Sequence, residues 1–208
     1  KGFLSAAYQI DEHNNLSARL ERKIGQLDFA DFTAADDLLL GVSSVSNTEL
    51  MPDQTWRMEA ILDQKWSFGT TSSLTLFNEE IDDLVGSIVV NGKRAVGNIS
   101  SAKRYGVEWE LFSDLAFIGF KGGQLEFSAK LQKSRVEDPV TGEVRRISED
   151  RVHFIETELR QDVPGTHWAW GLNYEVEQVA AVASANKSTF TNQNHGLLVP
   201  FIEHKNIF

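Results

Sequence analysis

Cysteine is absent from the 208-residue sequence, which excludes disulfides and thiolate metal sites and leaves the redox compartment unconstrained. Long apolar runs are missing too: no stretch approaches the roughly 18 consecutive apolar residues that a membrane-spanning helix requires. A helical membrane protein is therefore excluded. A β-barrel is not, because alternation halves the hydrophobicity of a spanning strand. Positive charge is scarce: 20 Lys and Arg stand against 30 Asp and Glu, for a formal net charge of −10. That balance argues against nucleic acid as a partner, since binding phosphates needs a basic surface to displace their counterions. Nor does a charged-then-apolar leader open the chain. Lys1-Gly2-Phe3-Leu4 runs straight into strand-like sequence, so either a leader has been removed or the chain is a piece of a longer protein.

What the sequence does have is a two-residue alternation of apolar and charged side chains. In 167–178, Trp168, Trp170, Leu172, Tyr174 and Val176 oppose His167, Asn173, Glu175 and Glu177. In 124–132, Leu125, Phe127, Ala129 and Leu131 oppose Gln124, Glu126, Ser128, Lys130 and Gln132, and 104–111 sets Tyr105, Val107, Trp109 and Leu111 against Arg104, Glu108 and Glu110. Successive strand side chains leave opposite faces, so the sheet has one oily surface and one wet surface. With 41% hydrophobic and 24% charged residues the chain is a folded unit rather than a disordered one.

The expected strands are 3–10, 15–24, 54–68, 72–81, 103–114, 124–136, 151–162, 167–178 and 197–203. An irregular stretch is expected over about 82–101, around Asn91-Gly92-Lys93. The fold class is all-β, an antiparallel meander of about 9–10 long strands. Short and long connections alternate, which in a meander puts every long loop at one rim and every tight turn at the other, the asymmetry of outer-membrane barrels. A soluble β-sandwich shows the same alternation. Two features favour a barrel: strands of about 10 to 16 residues, and aromatics near strand ends, as with Trp56, Trp66, Phe68, Trp168 and Trp170. The charges Arg19, Glu59, Asp63, Glu108, Glu110, Lys130, Glu158 and Arg160 then line the lumen, since a Lys or Arg facing mid-bilayer costs about 2–4 kcal/mol.

Three segments carry a family resemblance. Asn47 to Glu59, reading NTELMPDQTWRME, is similar to the N-x-x-L-x-P-E-x-x-x-x-x-E signature of TonB-dependent outer-membrane receptors, with Asp53 in place of the usual Glu. Phe77 to Val85 resembles the family's F-x-x-x-I-x-D-L-I strand end, and Asn98 to Glu108 resembles its N-x-x-x-A-x-x-x-G-V-E element, in the family's order. Residues 1–46 match only in style. The resemblance implies that 1–208 is a partial barrel domain, without the plug and the final strands, from a transmembrane barrel of about 22 strands with a plugged lumen. It further implies a place in the bacterial outer membrane among its lipids, and import of a scarce nutrient such as a siderophore, cobalamin or a glycan. The energy would come from the TonB complex through the plug domain. No chemical step and no cofactor are implied.

Sequence chemistry adds little to that. Glu79, Glu80, Asp82 and Asp83 give the weak basis for an enzyme, as a glycosidase-like carboxylate pair, against the plainer reading of a solvated strand end. The five histidines have no zinc-ligand spacing. In loop 25–46, Asp28, Asp31, Asp36 and Asp37 with Phe29 and Phe32 are the candidate ligand-loop residues, against the reading of a solvated loop. The alternative function is a soluble β-sandwich that binds carbohydrate. The two readings separate on detergent removal: the intact protein is expected to leave solution or enter lipid, and a stable monomer in plain buffer contradicts the barrel.

Overall fold

In the computed structural model, the described residues are 2–27, 36–37, 42–45, 47–90, 93–139, 141–181 and 193–205. They form strands β1 (Gly2–Gln9), β2 (Asn14–Ile24), β3 (Asp36–Asp37), β4 (Val42–Val45), β5 (Gln54–Lys65), β6 (Thr71–Val90), β7 (Lys93–Asp114), β8 (Gly123–Glu137), β9 (Val144–Arg145), β10 (Arg151–Asp162), β11 (Trp168–Val179) and β12 (Gln193–His204). The long strands pair in the order β1-β2-β5-β6-β7-β8-β10-β11-β12, each antiparallel to the next. Short β9 pairs with β8, while β3 pairs with β4, which lies parallel to β7. The all-β antiparallel meander read from the sequence is the observed fold. The sheet is open, with β1 and β12 at its edges.

Tight turns join β1 to β2, β5 to β6, β7 to β8 and β10 to β11 at one end. In the first of them, Asp11 Oδ1 accepts the backbone N–H of His13 at 2.7 Å and of Asn14 at 2.8 Å. The Asn14 side chain also donates to this carboxylate, and together these bonds hold Asp11 below the usual carboxylate range. The opposite end carries the long connections. The stretch expected to be irregular over 82–101 is instead an extension of β6 and β7, paired in register from Leu84↔Ile99 to Val90↔Lys93. Two things disguise it. Gly86 lies across from Gly97, and Asp83 takes a left-handed conformation with φ 55°. At the base of this extension the inner face carries Ile81, Ile99 and Ala102, which pack with Val136 and Ile147 into a small core.

The register sorts the side chains. One row of partners runs Tyr8, Leu16, Leu62, Leu74, Trp109, Ala129, Ile155, Val176, Gly196 across all nine long strands. Every member with a side chain is apolar or aromatic. The row starts near the tight-turn end of β1 and finishes near the long-loop end of β12, so a level apolar band must cross the strands obliquely. For strands about 4.8 Å apart and tilted about 40°, a fixed membrane depth moves by roughly one residue per strand.

This face is uncovered. Trp109, Leu131, Trp170 and Tyr174 are 42%, 48%, 39% and 44% exposed, and Leu4, Met58, Leu76, Leu198 and Ile202 on the same face are exposed as well. Meanwhile Glu21, Arg57 and Glu79 on the opposite face are buried. A soluble sandwich would cover its apolar face with a second layer, and the described residues supply none. An arginine at Leu74, near the middle of the outward band, is expected to cost about 2–4 kcal/mol in a lipid environment. Arginine at Ser128, which lies inward between Glu110 and Glu156, is expected to change stability by less than about 1 kcal/mol. Urea titration of the intact protein in lipid vesicles reads both values; equal costs would contradict the face assignment.

Candidate functional site

The inner face is where ionic chemistry collects. Alternation points Arg57 of β5 inward, and the register sets Glu79 of β6 directly across from it. Arg57 uses its whole guanidinium: Nε donates to Glu59 at 2.6 Å, Nη1 to Glu79 at 2.8 Å and Nη2 to Glu108 at 3.1 Å. Its Cζ lies 4.2 Å from the centroid of the buried Phe77 ring. Lys130 reaches the other oxygen of Glu108 at 2.8 Å. The planar fork of arginine suits this site, because three carboxylates from three strands are met in fixed directions.

The chain of ion pairs continues along the inner face towards the long loops. Glu79 also accepts from Arg104 at 2.7 Å, and Arg104 binds Asp150 at 2.8 Å. Asp150 is buried, accepts from Gln132 at 3.1 Å, and closes the connection that follows β8. Its backbone carbonyl accepts from the N–H of Ala180. A continuous polar path thus links the mid-wall carboxylates Glu59 and Glu108 to the long-loop end.

The three family-like segments meet at two points along this wall. Near the long loops, the Asn98 amide donates to the carbonyls of Met51 and Asp83, both at 2.7 Å, and accepts from Met51 N–H at 2.9 Å. Asn47 adds a bond to the Val96 carbonyl at 3.1 Å, and Leu50 is buried beneath. Deeper in, Glu59, Phe77 and Glu108, one from each segment, converge on Arg57. Gly106 is small for a reason: a Cβ there would stand 2.3 Å from the Leu131 carbonyl oxygen.

Towards the tight turns the wall becomes acidic. A concavity of about 590 Å³ is lined by Asp63, Glu110, Glu126, Glu156 and Glu158, with Lys65 at its border. Glu110, Glu126 and Glu158 have no ion pair among the described residues. All eight charges assigned to the lumen from the sequence lie on this one face, as the register requires.

The candidate ligand-loop residues fare differently. Asp28, Phe29, Asp31 and Phe32 lie outside the described residues. Asp36 and Asp37 form β3, whose partner β4 runs beside Arg94 and Ala95 at the far end of the β6–β7 hairpin; their side chains lie outside the description. The carboxylates at 79–83 do not form a facing pair. Glu79 points inward to Arg57 and Arg104, whereas Glu80 points outward to Lys103 at 3.0 Å. Among the described residues, no group of three or more His, Asp or Glu is arranged to hold a metal ion. Sequence reasoning missed Arg57 as the hub. It sits between the oily Trp56 and Met58 with no local signal, and only the pairing of distant strands brings it to Glu79 and Glu108. Replacing Arg57 with alanine leaves Glu59, Glu79 and Glu108 without their shared cation and is expected to cost about 3–5 kcal/mol. Urea unfolding of the intact protein measures it, and a loss below about 1 kcal/mol would remove Arg57 from the centre of the wall.

No family model and no curated protein matches the sequence. Solved structures do. The chain is similar to the pyoverdine outer membrane receptor FpvA of Pseudomonas aeruginosa PAO1, with a TM-score of 0.68 and 15% identity over 98% of this chain and 29% of that one. It is similar to the FrpB iron transporter of Neisseria meningitidis, with a TM-score of 0.66 and 14% identity over 99% of this chain and 32% of that one. For the ferric yersiniabactin uptake receptor FyuA of Yersinia pestis the TM-score is 0.64 and the identity 12%, over 96% of this chain and 29% of that one. The chain therefore spans about a third of the length of the structures it matches. With its apolar band turned outward and the ion pairs around Arg57 turned inward, it has the fold of a segment of the barrel wall of TonB-dependent outer-membrane receptors.

Proposed function

We propose that this chain is part of the wall of a bacterial outer-membrane receptor that imports a scarce, bulky nutrient with energy delivered by TonB. One observation carries the reading: a sheet whose exposed face is apolar while Arg57, Glu79 and Glu21 are buried on the other. That inversion suits a wall with lipid outside and a polar interior. The acidic inner concavity supports a polar domain of the longer protein seated in the lumen, with Lys or Arg side chains facing Glu110, Glu126 and Glu158. In this reading TonB pulls on that internal domain and not on the wall. The wall does no covalent chemistry; it excludes lipid, holds the internal domain and presents the long loops to the ligand.

The ligand belongs to the class of ferric siderophores, cobalamin or oligomeric glycans, and it meets the loops at the long-connection end. Asp28, Phe29, Asp31, Phe32, Asp36 and Asp37 are the proposed contacts, with the aromatic rings packing on the ligand and the carboxylates hydrogen-bonding to it. Growth of the source bacterium on limiting amounts of each nutrient class tests the function. Deleting the gene for the intact protein is expected to abolish growth on one class only, and disrupting TonB is expected to have the same effect. Uptake that survives TonB disruption contradicts the energised mechanism. Joint alanine replacement of Asp28, Asp31, Asp36 and Asp37 is expected to weaken binding of that nutrient to whole cells at least tenfold; unchanged affinity would remove the loop from the site.

A further inference from the structure

The outward apolar band ends abruptly at its long-loop margin. Along β8 the outward series runs Leu131, Lys133, Arg135, while the alternating Gln132, Ser134 and Val136 are buried. Along β7 it runs Trp109, Val107, Tyr105, Lys103. The register places Tyr105 across from Lys133 and Lys103 across from Arg135. Three cations and a phenol thus occupy one small rectangle, all exposed and all just beyond the apolar band.

Two cations directly opposite on neighbouring strands repel and weaken a sheet unless an anion lies between them. Glu80 answers Lys103 at 3.0 Å. Lys133 and Arg135 have no ion pair among the described residues, and Glu137 lies beyond them, farther from the apolar band. The wall also opens beside the rectangle. Pairing of β10 with β8 begins only at His153↔Leu131, and β8 is next paired at Val136 and Glu137, with the short β9, which leaves 132–135 without a ladder partner on that side. There the Gln132 carbonyl is met by Arg146 at 3.3 Å. A recess of about 460 Å³ results, with Tyr105, Leu131, Lys133, Arg146 and His153 among its lining.

We propose that this patch binds the phosphate-bearing headgroup of a membrane lipid, with Lys133 and Arg135 gripping the phosphate, Lys103 beside them, and the acyl chains lying along Leu131, Val107 and Trp109. The position selects a lipid over a free anion. Apolar surface continues directly from the cations in the direction the chains must run, and charge-assisted bonds to phosphate are strongest beside such a low-dielectric surface. The inference rests on the membrane reading above, and it adds a defined lipid site to a wall that otherwise needs only generic hydrocarbon.

The test uses the intact protein purified in a neutral detergent, exposed to mixed micelles of phosphatidic acid and phosphatidylcholine, with bound lipid counted by native mass spectrometry. Phosphatidic acid is expected to be retained at least tenfold over phosphatidylcholine. The double variant K133Q/R135Q is expected to lose that preference, and K133R/R135K to keep it. Equal retention of the two lipids by the unsubstituted protein overturns the proposal without any variant having to fold. Displacement by inorganic phosphate at the same concentration as the lipid also overturns it, because the site then takes a free anion. Failure of the membrane reading looks different: the protein stays monomeric and water-soluble with no detergent at all.

Discussion

A charge cannot be turned towards hydrocarbon cheaply, and nearly everything in this chain follows from that. Strand geometry gives each residue only two directions, so a segment that must carry both Arg57 and Trp56 has one way to place them. The same choice is repeated strand by strand. It fixes the register, because a slip of one residue would send Glu59, Glu79 and Glu108 into the outward band and bring Trp56, Leu76 and Trp109 inside. The buried ion pairs do not need to be large net contributors to stability. Their role is to make the wrong register costly, since a buried Arg57 that missed its three carboxylates would be left uncompensated.

The inner face is divided by task along its length. Nearest the long loops it is apolar, with Ile81, Ile99, Val136 and Ile147 holding the extended β6–β7 hairpin and the connection after β8 against the wall. In the middle it is charged and paired around Arg57 and Arg104. Towards the tight turns it is acidic and largely unpaired. The paired zone ties one strand to the next and so keeps the wall rigid; the unpaired zone leaves charge available to whatever occupies the interior. The family-like segments mark the joints of this division. Asn47 and Asn98 stitch the outer joint, and Glu59, Phe77 and Glu108 stitch the middle one.

Much of this was legible in the sequence. Alternation over 124–132 and 167–178 gave the strands and both faces, because a half-wet sheet writes its geometry directly into residue order. Reading failed where that assumption failed. Beyond Glu80 the inward positions turn apolar, at Ile81, Leu84 and Ile88, because the hairpin there carries the small inner core; two facing glycines and the left-handed Asp83 completed the disguise. The Arg57 hub was also out of reach, since its partners lie 22 and 51 residues away and no local pattern reports a cross-strand register. The resemblance named the right segments without giving the contacts that make them matter.

All of this depends on one face of these strands touching lipid and the other touching water. The absence of cysteine in this stretch makes a labelling scan clean. Single cysteines at positions 124 to 131 of the intact protein in lipid vesicles, each carrying a nitroxide, report collisions with oxygen, which concentrates in lipid, and with a water-soluble nickel chelate. Oxygen maxima are expected at 125, 127, 129 and 131, with the opposite pattern at 124, 126, 128 and 130. A scan with no two-residue period, or with the chelate reaching Leu125, Phe127 and Leu131 most readily, would contradict it.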